Sequence, residues 1–66
     1  MEQDRNRAIT NVKMRILVGE NEKKRLQALI AFSRSPERRK QALEDLGDIL
    51  KEIRAAADEL SKLEAE

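Results

Sequence analysis

The sequence predicts a small, mainly helical protein in which a short strand precedes two helices and two chains form a homodimer. Three observations support this prediction. The chain has 66 residues, polar and apolar residues alternate over about residues 10–18, and apolar residues recur every three or four positions over about residues 36–63. A chain of this length buries only about 60 % of the surface of its unfolded state, so we expect it to need an oligomeric partner.

The composition excludes several classes of site. The sequence has no cysteine, no histidine and a single aromatic residue, Phe32. Disulfides, Cys/His zinc sites, thiol nucleophiles and imidazole acid–base catalysis are therefore excluded. We predict no enzymatic activity, no metal site and no cofactor. The apolar runs are too short to span a bilayer and the N-terminus lacks a signal-peptide pattern, so we expect a cytoplasmic protein without membrane contact.

The charge changes sign along the chain. Residues 1–40 carry a formal charge of +6 and residues 41–66 carry −5. This asymmetry is consistent with a polyanion-binding front and a separate packing end. The alternative is a solvated surface on which the sign of the charge changes along the chain without a binding role. We expect residues 1–9 to form a flexible polar arm and residues 10–66 to form one small oligomerising domain with a long C-terminal helix.

The predicted strand covers about residues 10–18. Period-two alternation with β-branched residues favours a half-buried strand. Asn11, Lys13 and Arg15 would then share one face. The apolar residues on the opposite face are Val12, Met14 and Ile16. A helix is the competing interpretation, because Ile9, Val12 and Ile16 also recur at helical spacing.

Two helices are predicted after the strand. Gly19 ends the strand, and Asn21 is a good N-cap for a first helix over about residues 21–34. A second helix over about residues 36–63 follows the start signal Ser-Pro-Glu, in which a capping serine precedes a proline.

The second helix carries a long apolar stripe at alternating spacings of three and four residues. This stripe predicts an oligomer interface together with the apolar face of the strand. The predicted interface residues are Val12, Met14, Ile16, Leu43, Leu46, Leu50, Ile53, Ala57 and Leu60. The predicted core is Val12, Met14, Ile16, Leu26, Leu29, Ile30, Phe32, Leu43, Leu46 and Leu50. Beyond Ile53 we expect Ala57, Leu60 and Leu63 to contact the oligomer or a partner helix.

These segments resemble the ribbon-helix-helix (Arc/MetJ-like) family of repressors. The stretch VKMRILV at residues 12–18 is similar to that family's strand, and residues 19–30 are similar to its first helix in spacing. The resemblance covers about residues 11–50. It implies a homodimeric transcriptional regulator whose two-stranded ribbon enters the major groove of double-stranded DNA.

The resemblance also implies a set of DNA-binding residues. Asn11, Lys13 and Arg15 would contact base edges, and the start of the second helix near Ser35 would hold a phosphate. Lys23 and Lys24 at the start of the first helix are further candidates for phosphate contacts.

A second resemblance supports an alternative without nucleic acid. Arg7-Ala8-Ile9, with Gly19-Glu20 and Arg25-Leu26, is similar to the N-terminal part of the small all-helical ENY2/Sus1 adaptors. It implies an all-α three-helix or helical-hairpin oligomer that acts as a non-enzymatic interaction module. The regular pattern from Ser35 to Glu66 also leaves a designed oligomer open.

Overall fold

The protein is a hairpin of two antiparallel helices, seen in a computed structural model that describes the backbone of residues 2–65 and the side chains of residues 3–65. Helix α1 spans Glu2–Phe32 and helix α2 spans Pro36–Ala65. Residues 33–35 connect them. The hairpin measures 51 × 14 × 11 Å between its extreme Cα atoms along the three principal axes.

The predicted strand is wrong. Residues 10–18 form the middle of α1, which is continuous from its first turn to Phe32, so the predicted helix start at Asn21 is wrong as well. No strand occurs in the described part of the chain. Because a ribbon-helix-helix fold requires a strand, the resemblance to that family is also wrong. The mainly α prediction is confirmed, and the structure fits the alternative of a helical hairpin.

The helix forms here because apolar and small residues recur every seven positions along α1. Val12, Gly19 and Leu26 are buried against α2. Ile9 and Ile16 are half-buried at the interleaved positions. A seven-residue repeat keeps one face of a helix turned toward its partner, and packing along that face outweighs weak helix propensity.

Helix α2 repeats the same pattern in the opposite chain direction. Ala42 and Ala56 are its buried residues. The half-buried apolar residues of α2 are Leu46, Ile49, Ile53, Leu60 and Leu63. Its predicted extent, about residues 36–63, is confirmed to within two residues.

Gly19 allows the two helices to approach each other closely. It was predicted to end a strand, but it is helical and buried, and no glycine in the described residues has positive φ. A Cβ atom built on Gly19 would lie 2.7 Å from Ile53 Cγ1, closer than carbon atoms pack. The absence of a side chain here therefore sets the distance between the helices.

Hydrogen bonds fix both ends of the hairpin. The backbone N–H of Arg38 donates to Ser35 Oγ at 3.3 Å, so Ser35 is the N-cap of α2, as the sequence predicts. At the open end, Arg5 Nε donates to the carbonyl of Leu63 at 3.0 Å and Arg5 Nη2 donates to the carbonyl of Glu64 at 3.2 Å. A cationic side chain at these free carbonyls is favourable for a helix C-terminus.

Residues 2–9, predicted as a flexible polar arm, lie in the first turns of α1. Met1 lies outside the described residues. The predicted core is wrong for four residues. Met14, Phe32, Leu43 and Leu50 are exposed, because a two-helix hairpin has one buried stripe per helix and these residues lie outside it.

We predict that Ser35→Ala lowers the free energy of unfolding by about 1 kcal/mol, because the N–H of Arg38 loses its acceptor. Urea titration monitored by circular dichroism measures this change. Ser61→Ala is the matched control, since Ser61 is exposed inside α2 and the same change there is neutral or slightly stabilising. Equal unfolding midpoints for the two variants would contradict the capping role.

We predict that Gly19→Ala is destabilising in the parent and that the effect depends on Ile53. The added methyl group overlaps Ile53 Cγ1, and overpacking of this kind costs about 1–3 kcal/mol, which outweighs the gain in helix propensity of at most about 1 kcal/mol. A double-mutant cycle with Ile53→Ala tests the contact, because the shortened side chain leaves room for the new methyl. Additive effects of the two substitutions would contradict the close contact.

Candidate interaction surface

The buried stripe divides the hairpin into two long flanks of different character. On α2, Gln41 and Ala55 come one residue before the buried Ala42 and Ala56, and Leu43 comes one residue after Ala42. Successive residues of a helix are about 100° apart, so residues before and after the stripe lie on opposite flanks. We call the flank of Gln41 and Ala55 the polar side and the flank of Leu43 the apolar side.

Charged and polar groups pair on the polar side. Arg15 Nη1 of α1 lies 2.9 Å from Glu59 Oε2 of α2, a pair that crosses between the helices. Gln41 Nε2 donates to Asp45 Oδ1 at 3.0 Å within α2. Both side chains of the Arg15–Glu59 pair are about half exposed, so this ion pair contributes at most about 1 kcal/mol. Of these two contacts, only the Arg15–Glu59 pair joins the two helices, and it contributes little to the free energy of folding.

Glu22 and Arg25 form a further ion pair within α1. The hydrogen bond from Arg25 lowers the pKa of the Glu22 carboxyl below its ordinary value, and the charge of Arg25 acts in the same direction. A lowered pKa means that the stabilisation is present at neutral pH and is lost as the pH falls through that value. The pair lies at the surface of α1, and both of its residues belong to that helix.

A shallow groove of about 580 Å³ also opens on the polar side. Small residues form its floor, because Gly19 and Ala56 leave space between the helices. Met14, Val18 and Ala55 line its walls. A second groove nearer the loop contains Arg25, Arg38 and Asp45 among its lining residues.

On α2 the apolar side presents leucines, whereas its outer edge on α1 carries Lys13, Glu20 and Gln27. Leu43 and Leu50 are 56 % and 41 % exposed, and Ala57 continues the same line at a spacing of seven residues. On α1, Ile16 follows Arg15 by one residue and lies across the buried stripe from it. The apolar side consists of Ile9, Ile16, Ile30, Leu43, Leu46, Leu50, Ile53, Ala57 and Leu60.

Most of the predicted oligomer interface lies on this side. Ile16, Leu46, Ile53 and Leu60 are half-buried along its inner edge, and the line through Leu43, Leu50 and Ala57 forms its outer edge. Two predicted members lie elsewhere: Val12 is buried between the helices, and Met14 lines the groove of the polar side. The alternation assumed for a strand grouped these two with Ile16, whereas a helix separates them.

The predicted DNA-binding residues do not form one surface. Asn11, Lys13 and Arg15 are two residues apart and therefore about 200° apart on a helix, so the middle residue points away from the other two. Arg15 is engaged with Glu59, and Lys23 Nζ lies 3.7 Å from Glu20 Oε2.

The other two predicted DNA-binding residues, Lys24 and Ser35, also do not lie beside a ribbon. Lys24 is exposed on α1, and Ser35 Oγ caps α2. The β-ribbon that was predicted to enter the major groove does not exist in the described residues, so the hypothesis of DNA recognition loses its structural basis.

The sequence analysis missed Leu17 and Val18, and it placed Met14 in the core, whereas all three are exposed on the outer surface of α1. Met14, Leu17 and Val18 are 56 %, 57 % and 64 % exposed and form a small patch at spacings of three and four residues. Phe32 is 85 % exposed at the loop end. A helical wheel of the whole first half of the chain would have separated these residues from the buried stripe.

Neither helix is both long and apolar enough to cross a membrane within residues 2–65. In the same part of the chain, no group of three or more acidic side chains is placed to hold a metal ion.

No family model, no curated protein and no solved structure matches the chain. The resemblance to ENY2/Sus1 adaptors therefore receives no support, in addition to the structural contradiction of the ribbon-helix-helix family.

Proposed function

We propose that the chain is a non-enzymatic interaction module, a helical hairpin that associates with further helices through its apolar side. The observation that carries this proposal is the exposure of Leu43 and Leu50 on one line of α2. Complete burial of a leucine side chain is worth about 1.5–3 kcal/mol, so a helix that covers this line gains free energy at each leucine.

The small interior of the hairpin supports the same proposal. The described side chains that are buried are those of Val12, Leu26, Ala42 and Ala56, and two of these are alanines. Small domains with so little apolar burial depend on additional stabilisation, and oligomerisation is one source of it. The sequence offers no cysteine for a disulfide.

Self-association is the simplest form of this function. Two hairpins packed through their apolar sides form a four-helix bundle, an architecture built from stripes of this kind. The non-enzymatic part of the proposal rests on composition, since the sequence contains neither histidine nor cysteine for acid–base or nucleophilic chemistry.

We predict that Leu43→Lys weakens self-association at least tenfold, since a charged group replaces an apolar side chain at the contact. Met14→Lys is the matched control: Met14 and Leu43 are both 56 % exposed, and each is replaced by lysine. Met14 lines the groove of the polar side, so its substitution leaves association unchanged. Sedimentation equilibrium over a range of chain concentrations measures both dissociation constants.

Two outcomes would contradict the proposal. A parent chain that remains monomeric at millimolar concentration excludes self-association through the apolar side. A larger effect of Met14→Lys than of Leu43→Lys assigns the contact to the polar side. Circular dichroism of each variant verifies that the hairpin itself is folded.

A further inference from the structure

We infer that the apolar side binds a second copy of this chain in antiparallel orientation, with a twofold axis passing beside Leu50. This inference rests on the proposed function, because it specifies the partner and geometry of the same surface. Three independent features of the hairpin lead to it: an unexplained glycine, the symmetry of the leucine line, and the distribution of charge between the two ends.

The first feature is Gly47 in the interior of α2. A Cβ atom built on Gly47 meets nothing within 4 Å, in contrast to Gly19, whose missing side chain is required by Ile53. Glycine is less favourable than alanine inside a helix, and nothing within the hairpin compensates for it. Gly47 lies between Leu43 and Leu50 on the helix surface, at spacings of four and three residues. A glycine at this point allows a second helix to approach the leucine line closely.

The second feature is the symmetry of the line formed by Leu43, Leu50 and Ala57. When two copies of this line run antiparallel about Leu50, each Leu50 meets the partner's Leu50. Each Leu43 then meets the partner's Ala57. A large side chain opposite a small one is the arrangement that lets facing helices interdigitate.

The alternative parallel arrangement fits less well. Two apolar sides can face each other with the twofold axis across the helices or along them. An axis across the helices places α2 on the partner's α2, so leucines meet leucines, and α1 on the partner's α1, so the polar edges of α1 meet each other. An axis along the helices places α2 on the partner's α1, whose outer edge on this flank carries Lys13, Glu20 and Gln27. Covering these polar groups with leucines is unfavourable.

The third feature is the charge difference between the two ends of the hairpin. The loop end, residues 23–45, has seven basic and three acidic residues, a formal charge of +4. The open end, residues 2–22 with residues 46–65, has seven basic and nine acidic residues, a charge of −2. An antiparallel pair brings each loop end to the partner's open end, whereas a parallel pair brings like charges together.

The orientation is tested by the distance between spin labels in the associated protein. The sequence has no cysteine, so a single introduced cysteine gives one label per chain. Arg34→Cys labels the loop, and Lys51→Cys labels the back of α2 near the proposed axis. Pulsed electron–electron double resonance measures both distances, at a chain concentration where sedimentation equilibrium shows the pair.

We expect a long distance for the Arg34→Cys label and a short one for Lys51→Cys. Antiparallel chains place the two loops at opposite ends of a hairpin whose long dimension is 51 Å. Short distances for both labels would overturn the antiparallel arrangement and leave the proposed function intact. Sedimentation equilibrium that shows only monomer at every chain concentration would instead overturn self-association, and with it the proposed function.

Gly47→Ala provides a second test of the contact. The substitution raises helix propensity, so an isolated hairpin becomes more stable. If the partner's helix packs at Gly47, the added methyl weakens association about tenfold. Association as tight as that of the parent would overturn the close approach at Gly47. Thermal unfolding at a concentration where the chain is monomeric verifies the stabilising effect.

Discussion

The close approach of α1 and α2 at Gly19 and Ile53 is the constraint on which the rest of the structure depends. Because Gly19 has no side chain, Ile53 packs directly over the backbone of α1. The buried Ala42 and Ala56 keep the same narrow spacing along α2. Small residues at the contact bring the helices together, but they also bury little apolar surface. The hairpin therefore keeps its large side chains half-buried or exposed, and this is the origin of the apolar side.

The second helix could be predicted from the sequence, whereas the first could not. Ser35 and Pro36 are local signals that depend only on backbone hydrogen bonds, and the stripe after them has one interpretation. In the first half, Val12 and Ile16 fit both period two and a spacing of four, so the pattern alone could not decide. Gly19 was interpreted as a terminator, because its role depends on Ile53, 34 positions further along the chain. Long-range contacts of this kind leave no local signal.

The same ambiguity explains which parts of the candidate site were predicted. The predicted interface residues of α2 share one side of the hairpin because their helix was predicted correctly, and their role as an interface stays a prediction. Val12 and Met14 were grouped with them through an alternation that a helix does not preserve. The basic residues of α1 were assigned to one face for the same reason. Once α1 is a helix, Arg15 turns toward Glu59 and Lys13 turns away from it. A corrected period therefore moves the functional hypothesis from a nucleic-acid surface to a helix-binding surface.

The most direct test of this account is the nuclear Overhauser contact between the Gly19 Hα protons and the Ile53 side chain. Isotope-filtered spectra of mixed labelled and unlabelled chains separate contacts within one chain from contacts between chains. The account predicts an intrachain contact between these two residues, together with helical contacts throughout residues 10–18. Contacts between residues 10–18 of two different chains, in the pattern of an antiparallel strand pair, would contradict it.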